Sequence, residues 1–311
     1  MLRDDLPPTT LASDFVAALR NSRALLLTGA GMSTDSGIPD YRGPDGQRRV
    51  TPMQYGEFVG SLPARQRYWA RSYAGWSRFA AAAPNEGHRA VARLQAAGHF
   101  GALITQNVDG LHQEAGSTEV IELHGSLAEV VCLDCGHRLP RSDVQAVLDA
   151  TNPGFLDRVR AETLPGSRVS SQIRPDGDVQ IPAEAVAGFA APICPECRGT
   201  MLKPDVVFFG ESVPPPRVAE CFARTEAAPM LVVLGSSLAV MSGLRFVRRA
   251  AREGIPIAII TRRPTRGDEL ATWRVDAPLT PTLTALEAAL SMPAGGRPAV
   301  TSSGMPEDVS R

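Results

Sequence analysis

The sequence predicts an α/β protein built on a doubly wound parallel sheet, with a smaller module inserted into it. Three features predict it. Short runs of consecutive apolar residues alternate with stretches of helical periodicity, the pattern of parallel strands buried on both faces. The first run leads straight into a glycine-containing turn, as in strand–loop–helix units that face a phosphate. Two Cys-x-x-Cys pairs, Cys132/Cys135 and Cys194/Cys197, lie in a long polar span that breaks the alternation.

In chain order the strand-like runs are Ala24 to Thr28, Ala102 to Thr105, Val120 to Leu123, Met230 to Leu234 and Pro256 to Ile260. A helical pattern from about Asn85 to Ala97 stops at Gly98, and another from Gly243 to Glu253 stops at Gly254; each glycine suits the left-handed position after a helix. Residues 44–83, rich in aromatic and Arg side chains, and residues 125–205, with four of the five cysteines, do not fit the alternation. Both are expected to pack together as a small domain, leaving about 10–43, 84–124 and 206–291 for the large one. The Gly/Ser/Pro-rich end, 293–311, reads as a disordered tail.

With 43% hydrophobic and 21% charged residues, the chain of 311 residues has the composition of an ordinary globular protein. A net charge of −1 argues against nucleic-acid binding through general attraction to phosphates. Arg248, Arg249 and Arg252 read as a solvated helix face, and Lys203 is the only lysine. No apolar run approaches the ~20 residues that span a bilayer. The opening Met1-Leu2-Arg3-Asp4-Asp5 is acidic where a signal peptide is basic. A cytoplasmic location without membrane association is expected, and there cysteines stay reduced and are read for metal first.

Each Cys-x-x-Cys can supply two corners of a tetrahedron at Zn–S distances of ~2.3 Å, so the four thiolates predict a closed, structural zinc site. Redox dithiols are the alternative, but a cytoplasmic redox motif does not usually come doubled. The 58 residues between Cys135 and Cys194 exceed a compact ribbon and point to an elaborated insertion. His137 follows the first pair and is not needed as a ligand, while Cys221 reads as a buried thiol. The turn Gly29-Ala30-Gly31-Met32-Ser33-Thr34 lacks the third glycine of G-x-G-x-x-G, so alone it is equally a tight structural turn. Among the histidines, His124 stands at a strand end before a glycine, and an imidazole of pKa about 6.5 suits a general base. His88 and His112 lie in helical contexts that favour packing or capping.

The run Gly29 to Arg42, which continues through Asp40-Tyr41-Arg42, resembles the signature of the sirtuin family. So do Thr105-Gln106-Asn107-Val108-Asp109-Gly110-Leu111-His112, Glu122-Leu123-His124-Gly125, Lys203 to Glu211 and Gly235-Ser236-Ser237-Leu238, in the family's order over about residues 20–285. Arg65 to Arg71, Pro175-Asp176-Gly177-Asp178-Val179 and Pro264-Thr265-Arg266 resemble its class II branch.

The resemblance implies a Rossmann-like fold and an enzyme that consumes NAD to remove acyl groups from lysine side chains of proteins. Nicotinamide, O-acyl-ADP-ribose and free lysine would be the products, with His124 as the base that deprotonates a ribose hydroxyl. It assigns to NAD the residues Gly29, Ala30, Gly31, Ser33, Thr34, Asp40, Tyr41, Arg42, Gln106, Asn107, Val108, Asp109, Gly235, Ser236 and Ser237. Thr261, Arg262 and Arg263 replace the family's usual Asn-containing segment, and with Leu279 they are expected beside the adenosine. Val207 and Phe208 would wall the acyl-lysine tunnel. Tyr68 and Arg71, three apart in a helical segment, would grip an acidic acyl chain, or else simply pack the module. Protein ADP-ribosyl transfer, or NAD sensing without catalysis, are the alternatives.

Overall fold

Consecutive apolar runs become strands here because helices cover both of their faces. The computed structural model describes residues 11–20, 22–41, 52–162, 174–179, 181 and 183–292. Arg42, residues 44–51 and 163–173 of the two excursions, and the expected tail lie outside the described residues. The strands are β1 (Ala24–Thr28), β2 (Phe100–Thr105), β3 (Val120–Glu122), β4 (Gly125–Cys132), β5 (Arg138–Pro140), β6 (Leu202–Val206), β7 (Leu231–Leu234), β8 (Ile257–Ile260) and β9 (Trp273–Val275). The helices that bear on the site are α1 (Ser13–Arg20), α2 (Tyr55–Gly60), α3 (Leu62–Ala80), α4 (Glu86–Ala96), α5 (Leu111–Glu114), α6 (Arg141–Thr151), α7 (Phe155–Glu162), α8 (Ala183–Val186), α9 (Pro215–Glu226), α10 (Met241–Arg252) and α11 (Leu279–Ser291).

Among the described residues, a parallel sheet runs in the order β3-β2-β1-β7-β8-β9. Successive strand residues point to opposite faces. Leu26, Leu103, Val232 and Ile260 accordingly join one buried cluster with α1, α4 and α11. Leu25, Leu27, Val233 and Ile259 join another with α9 and α10. This is the doubly wound sheet the sequence predicts. Gly98 (φ +82°) and Gly254 (φ +69°) take the left-handed conformation expected after α4 and α10.

Two elements depart from the sequence expectation. β9 adds an edge strand, and the second excursion is not only polar: β4 is the centre of an antiparallel sheet ordered β5-β4-β6. β6 reads Leu-Lys-Pro-Asp-Val, which has no strand signature of its own. Its ladder with β4 makes it a strand, and Pro204 is tolerated because β6 is an edge. This sheet, α2, α3 and α6 to α8 share a third cluster that includes Phe58, Tyr68, Trp69, Phe155, Cys132 and Cys194.

Candidate active site and metal centre

In the large sheet β2 and β3 lie to one side of β1, and the later strands lie to the other. The connections from β1 and from β7 therefore run on to opposite sides of the sheet, which leaves a crevice above this switch point. A cavity of about 1580 Å³ occupies it and reaches across to the small module.

Its floor is two loops pressed together. Gly31 N–H donates to the Gly235 carbonyl at 2.8 Å, and Gly29 N–H donates to that of Leu234 at 3.0 Å. A Cβ on Gly31 would stand 2.8 Å from Gly235 Cα and O, and one on Gly29 2.8 Å from Ser236 Cβ. The glycines thus serve close approach of the loops, and these two N–H groups are held by the protein itself. The loop is tied from behind, since Asn85, at the N-cap of α4, donates to the Met32 carbonyl and to Ser36 Oγ.

The loop after β2 supplies the next wall. Asn107 Nδ2 donates to the Gly29 carbonyl (3.1 Å) and to Ser33 Oγ (3.0 Å), which leaves Oδ1 as the atom its amide offers a ligand. Ser33 Oγ donates to Asp109 Oδ2 at 2.6 Å, and the Leu111 N–H to Asp109 Oδ1 at 3.1 Å. Burial pushes the Asp109 carboxyl up from its ordinary value, against these bonds.

His124 is clamped at both nitrogens. Nδ1 lies 2.9 Å from the Gln106 carbonyl, an acceptor only, so Nδ1 carries the proton and Nε2 presents a lone pair. Burial holds the pKa below the ordinary 6.5, the Gln106 bond opposes this, and Arg217 and Arg245 reinforce it. The lowered pKa favours the neutral imidazole, the form a general base requires. The following residue must be glycine: Gly125 has φ +79°, and a Cβ there would collide with the Asp205 carbonyl of β6.

The chain leaving β6 forms the opposite wall. Val207 N–H donates to the His124 carbonyl at 2.8 Å. Glu211 accepts from the Phe208 N–H (2.7 Å) and from Lys203 Nζ (3.0 Å), so the only lysine is buried as a brace for this loop. Tyr68 reaches the wall with its ring against Phe58 and Phe208. Arg71 is not among the lining residues. Three residues along a helix turn about 60° off the starting direction. The pair therefore divides: Tyr68 faces the cavity, whereas Arg71 is half-buried in the field of Asp178, where burial lowers its pKa.

The four sulfurs of Cys132, Cys135, Cys194 and Cys197 lie within 4.8 Å of one another, with 3.6 Å between Cys132 and Cys197 and 3.7 Å between Cys135 and Cys194. A tetrahedron with ~2.3 Å bonds has edges of ~3.8 Å, so the set fits a zinc ion. His137 contributes backbone, its carbonyl accepting from the Cys132 N–H. Cys221 is a separate buried thiol.

The cavity thus brings together Gly29, Ala30, Gly31, Ser33, Thr34, Asp40, Tyr41, Gln106, Asn107, Val108, Asp109, His124, Val207, Phe208, Gly235, Ser236, Ser237, Thr261, Arg262, Arg263, Leu279 and Tyr68. Sequence reading missed Ser242, Arg245, Glu211 and Asp176, which also line it. Glu211 and Asp176 lie in the quoted segments Lys203 to Glu211 and Pro175 to Val179, which assigned them no role; no local motif marks Ser242 and Arg245, which reach the wall only through the packing of α10.

The profile of the Sir2 family matches residues 29–242. The chain is 51% identical to NAD-dependent protein deacetylase 1 of Streptomyces coelicolor over 94% of each protein. It is 49% identical to NAD-dependent protein deacetylase of Xanthomonas campestris, covering 83% of this chain and 84% of that one. A solved structure described as Sir2 with a p53 peptide and NAD+ superposes with a TM-score of 0.68 at 28% identity, over 90% of this chain and 98% of that one.

Proposed function

The chain belongs to the Sir2 family, and we propose that it is an NAD-dependent protein lysine deacylase in which His124 is the general base. The observation that carries this reading is the tautomer of His124. A buried, neutral imidazole, its Nδ1 proton held by a backbone carbonyl, turns Nε2 toward a cavity long enough for a dinucleotide.

The residues present fit NAD. Gly29, Gly31 and Gly235 leave the strand ends bare of side chains where a pyrophosphate would pass. Asn107 and Asp109 offer a carboxamide oxygen and a carboxylate toward the nicotinamide ribose, and Thr261 to Arg263 with Leu279 stand at the adenosine end. When bound, NAD supplies an electrophilic ribose carbon and nicotinamide as leaving group. The chain's own part is to orient the ribose, exclude water with Val207, Phe208 and Tyr68, and take a hydroxyl proton at His124. The chain after β6 is suited to pairing with the substrate peptide as an added strand.

With Asp176 at the wall and Arg71 outside the lining, the acyl end of the tunnel suits an uncharged group such as acetyl better than an acidic one. The class II assignment rests on the three segments quoted above. We read the large sheet and the zinc module as two domains, divided near residues 43, 84, 124 and 206. The reduced thiolates required by the metal set favour the cytoplasm. Among the described residues no helix is long and apolar enough to cross a membrane. Incubation with NAD and acetyl-lysine peptides, read by mass spectrometry, tests the function: free lysine and released nicotinamide are expected, and His124→Ala should lower turnover by about 10²-fold or more. An ADP-ribosyl mass added to an acceptor protein without deacylation would overturn it.

A further inference from the structure

Neutral imidazole has one donor and one acceptor. In His124 the donor is held by Gln106, and the single lone pair, at Nε2, is also engaged: Ser242 Oγ lies 2.9 Å away. A hydroxyl facing a bare lone pair must donate to it. Both residues line the cavity, but the lone pair of the base is taken by Ser242, so a proton reaches Nε2 by way of the serine hydroxyl.

The placement is built by the fold. Ser242 is the second residue of α10, whose N-cap is Val240 without a side-chain cap, so the serine hydroxyl has no capping duty. Gly243 lets the first turn of α10 close on the same Gln106: a Cβ there would come within 2.6 Å of Gln106 Oε1. Gln106 and α10 together thus fix both ring nitrogens. Negative charge developing on Ser242 Oγ as a proton passes would lie in the first turn of a 12-residue helix, where the backbone dipole favours it.

We propose that Ser242 relays the proton between the ribose hydroxyl and His124. The ribose O–H bond breaks as Ser242 Oγ takes that proton, while the Ser242 O–H proton forms the Nε2–H bond. The electron pair left on the ribose oxygen goes into its new bond to the acyl carbon. Serine ends as a neutral hydroxyl and His124 as imidazolium. This rests on the reading of His124 as base.

The test is single-turnover deacylation of an acetyl-lysine peptide in H2O/D2O mixtures, beside exchange of labelled nicotinamide into NAD, a step that precedes the base. Ser242→Ala should slow deacylation by roughly 10–100-fold. It should leave nicotinamide exchange and NAD affinity unchanged and reduce a two-proton inventory to one. Ser242→Thr, which keeps the hydroxyl, should restore most of the rate. Wild-type deacylation and an unaltered inventory in Ser242→Ala would overturn the relay, as would equal loss of exchange and deacylation without rescue by Thr. His124→Ala, run in parallel, separates the two ideas. If that variant is inactive while Ser242→Ala is normal, only the relay fails; if it deacylates normally, the base assignment itself is gone.

Discussion

The two histidines under the cofactor loop make stability depend on acid in a way that can be worked out. His88 and His112 are 0% and 1% exposed, with rings edge to face at 4.9 Å. His88 Nδ1 accepts from the Asn85 N–H, so its proton is on Nε2. Thr28 donates its hydroxyl proton to Thr105, so His112 Nε2 donates to Thr28 and Nδ1 is bare. Burial holds the pKa of His88 down to about 4, helped by Arg89 and opposed by Asp35. It holds that of His112 down to about 3, helped by His88. The unfolded chain titrates both near 6.5. With folded values depressed, their stabilisation is complete above pH 6.5 and is lost as pH falls toward 4 and 3. At pH 5.5 each neutral ring has lost about 1.4 kcal/mol relative to pH 7.5, together about 2.7 kcal/mol. For a chain of this size that lowers Tm by roughly 4–5 °C. The double variant His88→Asn/His112→Gln keeps the Nδ1 acceptor and the Nε2 donor but cannot titrate. Thermal melts of both proteins at pH 7.5 and 5.5 isolate the pair from the carboxylates. If the variant loses as much Tm on acidification as the wild type, these histidines do not carry the acid sensitivity.

Other sites give equally direct expectations. Cys132→Ser or Cys194→Ser should release one zinc per chain, measured by metal analysis, and unfold the module, because structural zinc contributes folding free energy; a metal-free protein that stays folded would refute this. Thr261 uses its hydroxyl on the Arg262 carbonyl, 3.2 Å away. Thr261→Asn should therefore tighten NAD binding by about 1 kcal/mol in calorimetry, one net hydrogen bond, and unchanged affinity would show that the cofactor does not reach it. Arg71→Met should leave acetyl preferred over glutaryl peptide and lower kcat/KM for both alike. A selective loss on glutaryl would return Arg71 to the acyl pocket.

Where buried strands are continuous in apolar residues, as in Leu25 to Leu27 or Leu231 to Leu234, their burial was legible because nothing else explains such runs. The loops after β1 and β7 were legible through glycine, whose lack of a side chain lets them approach each other. What escaped reading was held together from a distance. β6 was expected as a strand only through the family resemblance of Lys203 to Glu211, because its own residues show no strand pattern and β4 supplies the ladder. Ser242 touches His124 across 118 residues of chain, and no local pattern announces that contact. The spacing of Tyr68 and Arg71 suggested a shared direction, but a helix turned three residues separates a core-facing ring from a flank-facing guanidinium.

His124 sits at the seam between the two sheets. On its amino side the Leu123 N–H donates to the Thr105 carbonyl of the parallel sheet; on its carboxyl side Gly125 opens β4. Its own carbonyl accepts from Val207, the first residue beyond β6, so His124 and the opposite wall of the cavity are joined by one backbone hydrogen bond. β4 ends at Cys132, and Cys194 and Cys197 stand shortly before β6. The ladder between β4 and β6 is therefore pinned at its far end by the metal centre and at its near end by the Gly125–Val206 register. A zinc ion held there would lie outside the cavity and take no part in its chemistry. It would fix the two strands whose other ends carry His124 and Val207, and so hold the two proposed catalytic walls in register.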